Sequence, residues 1–360
     1  MTASATGAWT PWLVSLGALA VLLLATWAHV AFWRRKLSLP LTYDEELRVP
    51  VDGNSWCELR RLKPATPSAL PPVLMVHGIA INHRNIDARE DVSLARAMRD
   101  TGRDVWLLTL RSGRRDLTWR ERHSIDFTTL AQHDIPQAIT TVLAKTGAKQ
   151  LDYLGFSMGG MLAYAAFGRT VPLEQIRRVV IMGSPGIVGA VLPGTKIAAQ
   201  IGRVWKPIVP SRLFTSLFAF VAEIVVTPLQ HLFLNPHNNL PGLLHTFMID
   251  ATADIPGPLG MNMVQWAAKD GVVRFAGEPV LPGLAQVHAP VLFLAGGADK
   301  LGTPKSLRAA YEAWAGPKQF ILLAKSAGFS ADYGHMDMVT GPQAPAEVFQ
   351  PIIRFFAEPT

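Results

Sequence analysis

The chain has a single cysteine, Cys57, in 360 residues. No intramolecular disulfide can form, which fits a reducing compartment and leaves the fold to be held by its core. Charge is also sparse: 17% of residues are Asp, Glu, Lys or Arg against 49% hydrophobic, and mean hydropathy is +0.21. That balance excludes a disordered chain and is high for a wholly soluble protein. There is no zinc-ligand spacing, internal repeat, low-complexity tract or RNA-recognition motif. With those absent, the net charge of +7 and pI near 9.7 suit an anionic membrane surface rather than nucleic acid. The cluster Arg111, Arg114, Arg115, Arg120 and Arg122 reads as a solvated loop.

From Trp9 to Trp33 no side chain carries a formal charge, and Leu13 to Ala28 is nearly continuous Leu, Val and Ala. A run of about 20 apolar residues spans a bilayer. Trp9, Trp12, Trp27 and Trp33 lie towards its ends, where interfacial aromatics sit. A cleaved secretion signal would want a basic start and a small-residue cleavage site. The first 11 residues contain no Lys or Arg, and the run ends in Phe32-Trp33-Arg34-Arg35-Lys36. The expectation is a retained transmembrane anchor over 9–33, single-pass, with the three basic residues placing the C-terminal body in the cytoplasm.

Beyond the anchor, short β-rich runs at 45–49, 57–62, 73–76, 105–110, 150–154, 178–183, 290–297 and 319–323 alternate, from the third onwards, with helical stretches at 92–99, 127–144, 160–167 and 347–356. Pro136 should kink or break the second of these helices. Such alternation indicates an α/β fold, a mostly parallel sheet with helices on both faces. It stops near Ser184 and resumes near Pro290. The domain reading is therefore a core over 40–184 and 276–360, and a helical cap or lid insertion over 185–275. Within the insertion, 213–226 is apolar around most of its circumference but too short to span a bilayer comfortably and interrupted by Glu223; it reads as a buried helix, as a cap that supplies an apolar pocket, or as a second membrane contact.

Gly155-Phe156-Ser157-Met158-Gly159 stands between a strand-like and a helix-like run. This is the context of a nucleophile elbow, a turn so tight that only small residues fit two before and two after the serine. A serine nucleophile needs a base, and the base needs an acid to orient it. In the order Ser, Asp, His, each on a loop after a strand, Asp299 and His335 fill these roles. Asp332 and Asp337 are rivals to Asp299, but residues so close to His335 on one loop seldom meet it side-on. An oxyanion hole needs two backbone N–H groups, expected from Met158 and from Ile79 in the His77-Gly78-Ile79-Ala80 loop. His77 reads as structural, while Asn82 and His83 either line the pocket or cap the next helix.

At this point the chain resembles the acid-lipase branch of the α/β-hydrolases, from about Val73 to the C-terminus. The resemblance rests on Val76-His77-Gly78-Ile79, Gly102-Arg103-Asp104-Val105-Trp106-Leu107, His133-Asp134-Ile135-Pro136-Gln137-Ala138, Gly296-Gly297-Ala298-Asp299-Lys300-Leu301 and Gly334-His335-Met336-Asp337. It implies the α/β-hydrolase fold, hydrolysis of long-chain acyl esters, Ser157, Asp299 and His335 as the triad, and Ile79 and Met158 as oxyanion donors. The chain differs in having an anchor where many relatives have a secretion signal, and Phe156 where lipases often carry His. It is more distantly similar to polyhydroxyalkanoate synthases, which use Cys at the elbow.

The expected function is a carboxylesterase or lipase acting on a hydrophobic acyl ester, with no metal or organic cofactor implied. An acyltransferase using the same triad, and a non-catalytic membrane-tethered binding protein on the same scaffold, are the other readings.

Overall fold

A computed structural model describes residues 10–53, 55–190 and 193–359, so Trp9 at the start of the expected anchor lies outside the described residues. The strands of the main sheet are β1 (Glu45–Asp52), β2 (Ser55–Leu62), β3 (Val73–Val76), β4 (Val105–Thr109), β5 (Leu151–Phe156), β6 (Ile176–Met182), β7 (Val291–Gly296) and β8 (Lys318–Leu323). They lie in the order β1-β2-β4-β3-β5-β6-β7-β8. The pairs β1–β2 and β2–β4 are antiparallel and the rest are parallel.

The central strands are buried along their whole length, which is why they read as largely apolar rather than alternating runs, broken by Asp152 in β5 and by Arg177 and Arg178 in β6. Successive side chains still point to opposite faces. Leu74, Val76, Trp106 and Leu108 face one core with α3 (Ile135–Thr146) and α4 (Met158–Ala166). Val73, Met75, Val105 and Leu107 face the other with α2 (Leu94–Arg99) and α8 (Gln350–Ala357).

The N-terminal helix α1 (Thr10–Leu37) has 28 residues, about 42 Å at 1.5 Å per residue. It is long and apolar enough to cross a membrane, and nearly all of that stretch is exposed. Its C-terminal end packs on α5 (Ser211–Phe218) and the turn after it, within the long insertion between β6 and β7. Trp33 stacks on Phe220 with ring centroids 5.0 Å apart, and His29 Nε2 lies 3.1 Å from the Leu217 carbonyl. Arg34 Nε donates to Ser216 Oγ at 3.1 Å. The insertion also contains α6 (Gly257–Lys269); after β7 comes α7 (Pro304–Ala313).

Several local expectations change. Pro136 breaks nothing: the helical run from Phe127 widens into one π-turn, Leu130–Asp134, and continues as α3. A wide turn accommodates the ring and the missing N–H that a regular α-turn would not. The apolar run 213–226 is not a buried helix, because α5 stops at Phe218 and Phe214, Phe218, Ile224 and Val226 are exposed.

The arginine cluster is a solvated loop only in part, at the exposed Arg115 and Arg120. Arg111 and Arg114 are buried. Arg111 bonds Asp134 at 2.7 Å, Arg114 bonds Glu121 at 2.8 Å, and Arg122 bonds Asp254 at 2.5 Å. Charges that find carboxylates on neighbouring elements can be taken out of water, and nothing in a local window reports those partners.

One buried ionic cluster pins the C-terminal helix to the sheet. Asp152 on β5 accepts from Arg103 Nη2 and from Arg177 Nε, the latter at 2.9 Å. Both arginines also donate to the Phe356 carbonyl in α8, at 3.3 and 2.6 Å. Removing the shared carboxylate strands two buried cations. Asp152→Ala should therefore lower the unfolding free energy by about 3–5 kcal/mol, read as a drop in the denaturant midpoint of the detergent-solubilised protein.

Candidate active site

Ser157 is the single residue between β5 and α4, with φ +54° and ψ −119°, a conformation that side-chain-bearing residues rarely adopt. The flanking glycines explain how the turn closes. A Cβ at Gly155 would sit 2.5 Å from Gly160 N, and one at Gly159 would sit 2.3 Å from the Val76 carbonyl oxygen. Ser157 N–H donates to the Met182 carbonyl on β6 at 2.8 Å, which locks the turn against the next strand.

Asp299 and His335 reach each other from separate loops, after β7 and β8. His335 Nδ1 and Asp299 Oδ2 are 2.7 Å apart in a buried contact. The other carboxylate oxygen, Oδ1, accepts from Leu301 N–H and Gly302 N–H, both at 2.8 Å. Asp299 therefore has one oxygen fixed by backbone and one left for the imidazole.

The His335 ring packs on Phe156 with centroids 4.9 Å apart, and a Cβ on Gly183, just past the end of β6, would come within 3.0 Å of its Cε1. The His335–Asp299 pair thus stands over the strand ends that carry Ser157. The rival Asp337 is turned elsewhere: it accepts from Asn235 N–H at 3.0 Å, Asn238 Nδ2 at 2.8 Å and Gly334 N–H at 2.9 Å. Burial pushes its carboxyl pKa up, against those hydrogen bonds.

The loop after β3 comes to the same place. A Cβ on Gly78 would meet Ser157 Cβ at 2.8 Å. His77 is fully buried; its Nε2 accepts from Leu110 N–H at 3.1 Å, which leaves Nδ1–H to donate to the Gly78 carbonyl at 2.7 Å. In a trans peptide the C=O and the following N–H point opposite ways. His77 thus turns the N–H of Ile79 away from itself. Among the described residues, neither the Ile79 nor the Met158 N–H has a backbone partner.

The insertion clasps both sides of this arrangement. Ala253 N–H donates to the Ala80 carbonyl at 2.8 Å and Asn82 N–H to the Ala251 carbonyl at 2.9 Å. At the other side Met336 N–H donates to the Phe233 carbonyl at 2.8 Å. Ser157 is only 9% exposed.

Asn82 caps the short turn after it, accepting from Arg84 N–H at 2.9 Å, and His83 Nδ1 lies 2.7 Å from Thr109 Oγ1. Both border a polar cavity of about 350 Å³ that does not include Ser157, Asp299 or His335. Arg60, Arg84, Arg115 and Asp250 are among its lining residues. The Asp337–Asn235–Asn238 link and the Leu301 and Gly302 N–H groups escaped the sequence reading, and only the short spacing from Asp299 to Gly302 hinted at the latter.

The strand order and the strained serine turn define the class, and residues 71–342 match the family described as alpha/beta hydrolase fold: the chain belongs to it. It is similar to lipase member K of Homo sapiens, 24% identical over 338 residues covering 82% of each chain. It is also similar to lysosomal acid lipase/cholesteryl ester hydrolase of Homo sapiens, 28% identical over 160 residues, 41% of this chain and 37% of that one. Among solved structures it is similar to a Paleococcus ferrophilus monoacylglycerol lipase, with TM-score 0.55, 16% identity and coverage of 83% of this chain and 98% of that one, a likeness of fold alone. The acid-lipase resemblance stands, and the comparisons support a carboxylic ester hydrolase.

His77 makes the stability of this site depend on pH. Burial lowers its pKa to about 4, with the Gly78 bond opposing. An unfolded histidine takes up its proton near 6.5. Between those values the unfolded chain binds the extra proton, so stability is present above 6.5 and is lost as pH falls to about 4, by up to about 1.4 kcal/mol per unit. His77→Gln should flatten that part of the denaturant-midpoint profile, and an unchanged slope would remove His77 as its source.

Proposed function

We propose that the chain is a membrane-anchored serine hydrolase that cleaves a hydrophobic acyl ester through an acyl-enzyme. The observation that carries this reading is the 2.7 Å contact between His335 Nδ1 and Asp299 Oδ2, standing over a serine held at φ +54°. His335 Nε2 takes the Ser157 Oγ proton as the oxygen attacks the ester carbonyl. Asp299 keeps Nδ1 protonated and stabilises the imidazolium that forms. The N–H groups of Ile79 and Met158 receive the negative oxygen of the tetrahedral intermediate. His335 then returns the proton to the departing alkoxide, and water repeats the sequence to release the acid.

The lipase relatives and the apolar insertion support an ester of a long acyl group. The insertion, 185–275, serves as the cap, and 40–184 with 276–360 as the catalytic core. The stretch 9–33 serves as the anchor, and Arg34, Arg35 and Lys36 at its end hold the body on the cytoplasmic side.

A fluorophosphonate should label the wild type in detergent and fail to label Ser157→Ala or His335→Ala. Asp299→Asn should keep the fold and lose about 10⁴ in kcat, because the imidazole would no longer be held in the reactive tautomer. Absence of wild-type labelling by both a large and a small phosphonate, in folded protein, would sink the mechanism. Rapid digestion of the body by protease added to intact spheroplasts would overturn the orientation.

A further inference from the structure

The apolar surface of this protein is not scattered. Among the described residues, every exposed large hydrophobic side chain except Leu39 and Trp119 lies either in α1 or between Ile187 and Phe233 of the insertion. Val204 is 95% exposed and Ile224 77%, and Trp205, Phe214 and Phe218 join them. Apolar surface on this scale marks a site of contact with a partner or a membrane. The two regions are also one body: the Trp33–Phe220 stack and the Arg34–Ser216 bond join them directly.

Charge favours one occupant. The insertion stretch carries the exposed bases Lys196, Arg203 and Lys206, and α1 ends in Arg34, Arg35 and Lys36. The one acid in that stretch, Glu223, accepts from Gly242 N–H at 2.7 Å and Leu244 N–H at 3.0 Å, with His245 Nε2 at 3.6 Å. Its carboxylate is thus engaged by those backbone groups, although the residue stays exposed.

We infer that the insertion is a second membrane-contacting element. Its apolar face lies in the anionic leaflet at the basic end of α1, so that Ser157 is covered from the lipid side. The inference rests on α1 being the anchor. It adds that the substrate is a lipid-borne ester taken sideways from that leaflet rather than one arriving from water. The basic residues sit at headgroup height and the apolar ones below them, as in interfacial helices.

The test uses the full-length protein in vesicles of phosphatidylcholine and phosphatidylglycerol. Cys57 is fully buried and stays in place. A solvent-sensitive fluorophore is attached at Val204→Cys, Ile224→Cys, Val21→Cys in α1, or Lys149→Cys, an exposed position at the opposite end of β5 from Ser157. At Val204→Cys and Ile224→Cys the expected result is a blue shift, quenching by a nitroxide-bearing lipid and loss of quenching by aqueous iodide, with the reverse at Lys149→Cys. If iodide quenches both insertion positions while nitroxide lipid quenches Val21→Cys, α1 spans and the inference is wrong. If Val21→Cys is open to iodide as well, the anchor reading falls and takes the inference with it. Shielding of the insertion positions from both quenchers would mean that protein, such as a second copy of the chain, covers the face, and would also overturn it.

Discussion

The site depends on one strained residue. A non-glycine at φ +54° costs about 1–3 kcal/mol and persists only because its surroundings leave it no alternative. Those surroundings are the three central strands. β6 accepts the Ser157 N–H, β3 lies so close beneath α4 that Gly159 cannot carry a side chain, and Tyr153 on β5 donates its hydroxyl to the Gly159 carbonyl at 2.7 Å. The order β3-β5-β6 is therefore a requirement of the serine turn as much as a feature of topology. The loops that bring Asp299 and His335 to it leave the same end of the same sheet.

Much of this was legible in the sequence, because the relevant features are local. The elbow shows as small residues on either side of Ser157, the buried strands show as short, mostly apolar runs, and the loops that carry Asp299 and His335 follow such runs. What was not legible is whatever depends on distant partners. The cluster around Arg111 and Arg114 has the composition of a wet loop. Its burial is decided by Asp134, 23 residues beyond Arg111, and by Glu121, 7 residues beyond Arg114. The run 213–226 failed for the opposite reason: its apolarity was plain, but periodicity alone does not say whether an apolar face meets protein or lipid.

Phe156 shows how one residue reads differently at the two levels. In sequence it marks a departure from the histidine that lipases often carry before the nucleophile. In the fold it is fully buried and forms one wall against the imidazole of His335, 4.9 Å away. A large apolar ring there keeps water from one face of the imidazole and restricts its tilt, while Asp299 fixes its Nδ1 side. The position thus affects the orientation and surroundings of the His335 ring.

A short covalent and hydrogen-bonded path joins the end of the N-terminal helix to the loop after β3, and it runs through Asp250. Its carboxylate accepts from Ser38 Oγ at 2.7 Å and Leu39 N–H at 2.8 Å, the first residues after α1. Its own carbonyl accepts from Asn82 Nδ2 at 2.9 Å, and the next carbonyl, Ala251, accepts from Asn82 N–H at 2.9 Å. Asn82 closes the loop that begins at Gly78. Arg84 and Arg115 each stand 3.8 Å from the same carboxylate, so its charge is answered from both sides and the residue has little freedom to swing. A displacement of the end of α1 relative to the core cannot be absorbed in a slack linker; it must be carried by Asp250 and felt at Asn82. The position of α1 and the shape of the loop beside Ser157 are in this sense one mechanical problem. An apolar helix joined to the body by a long flexible segment would have left them independent.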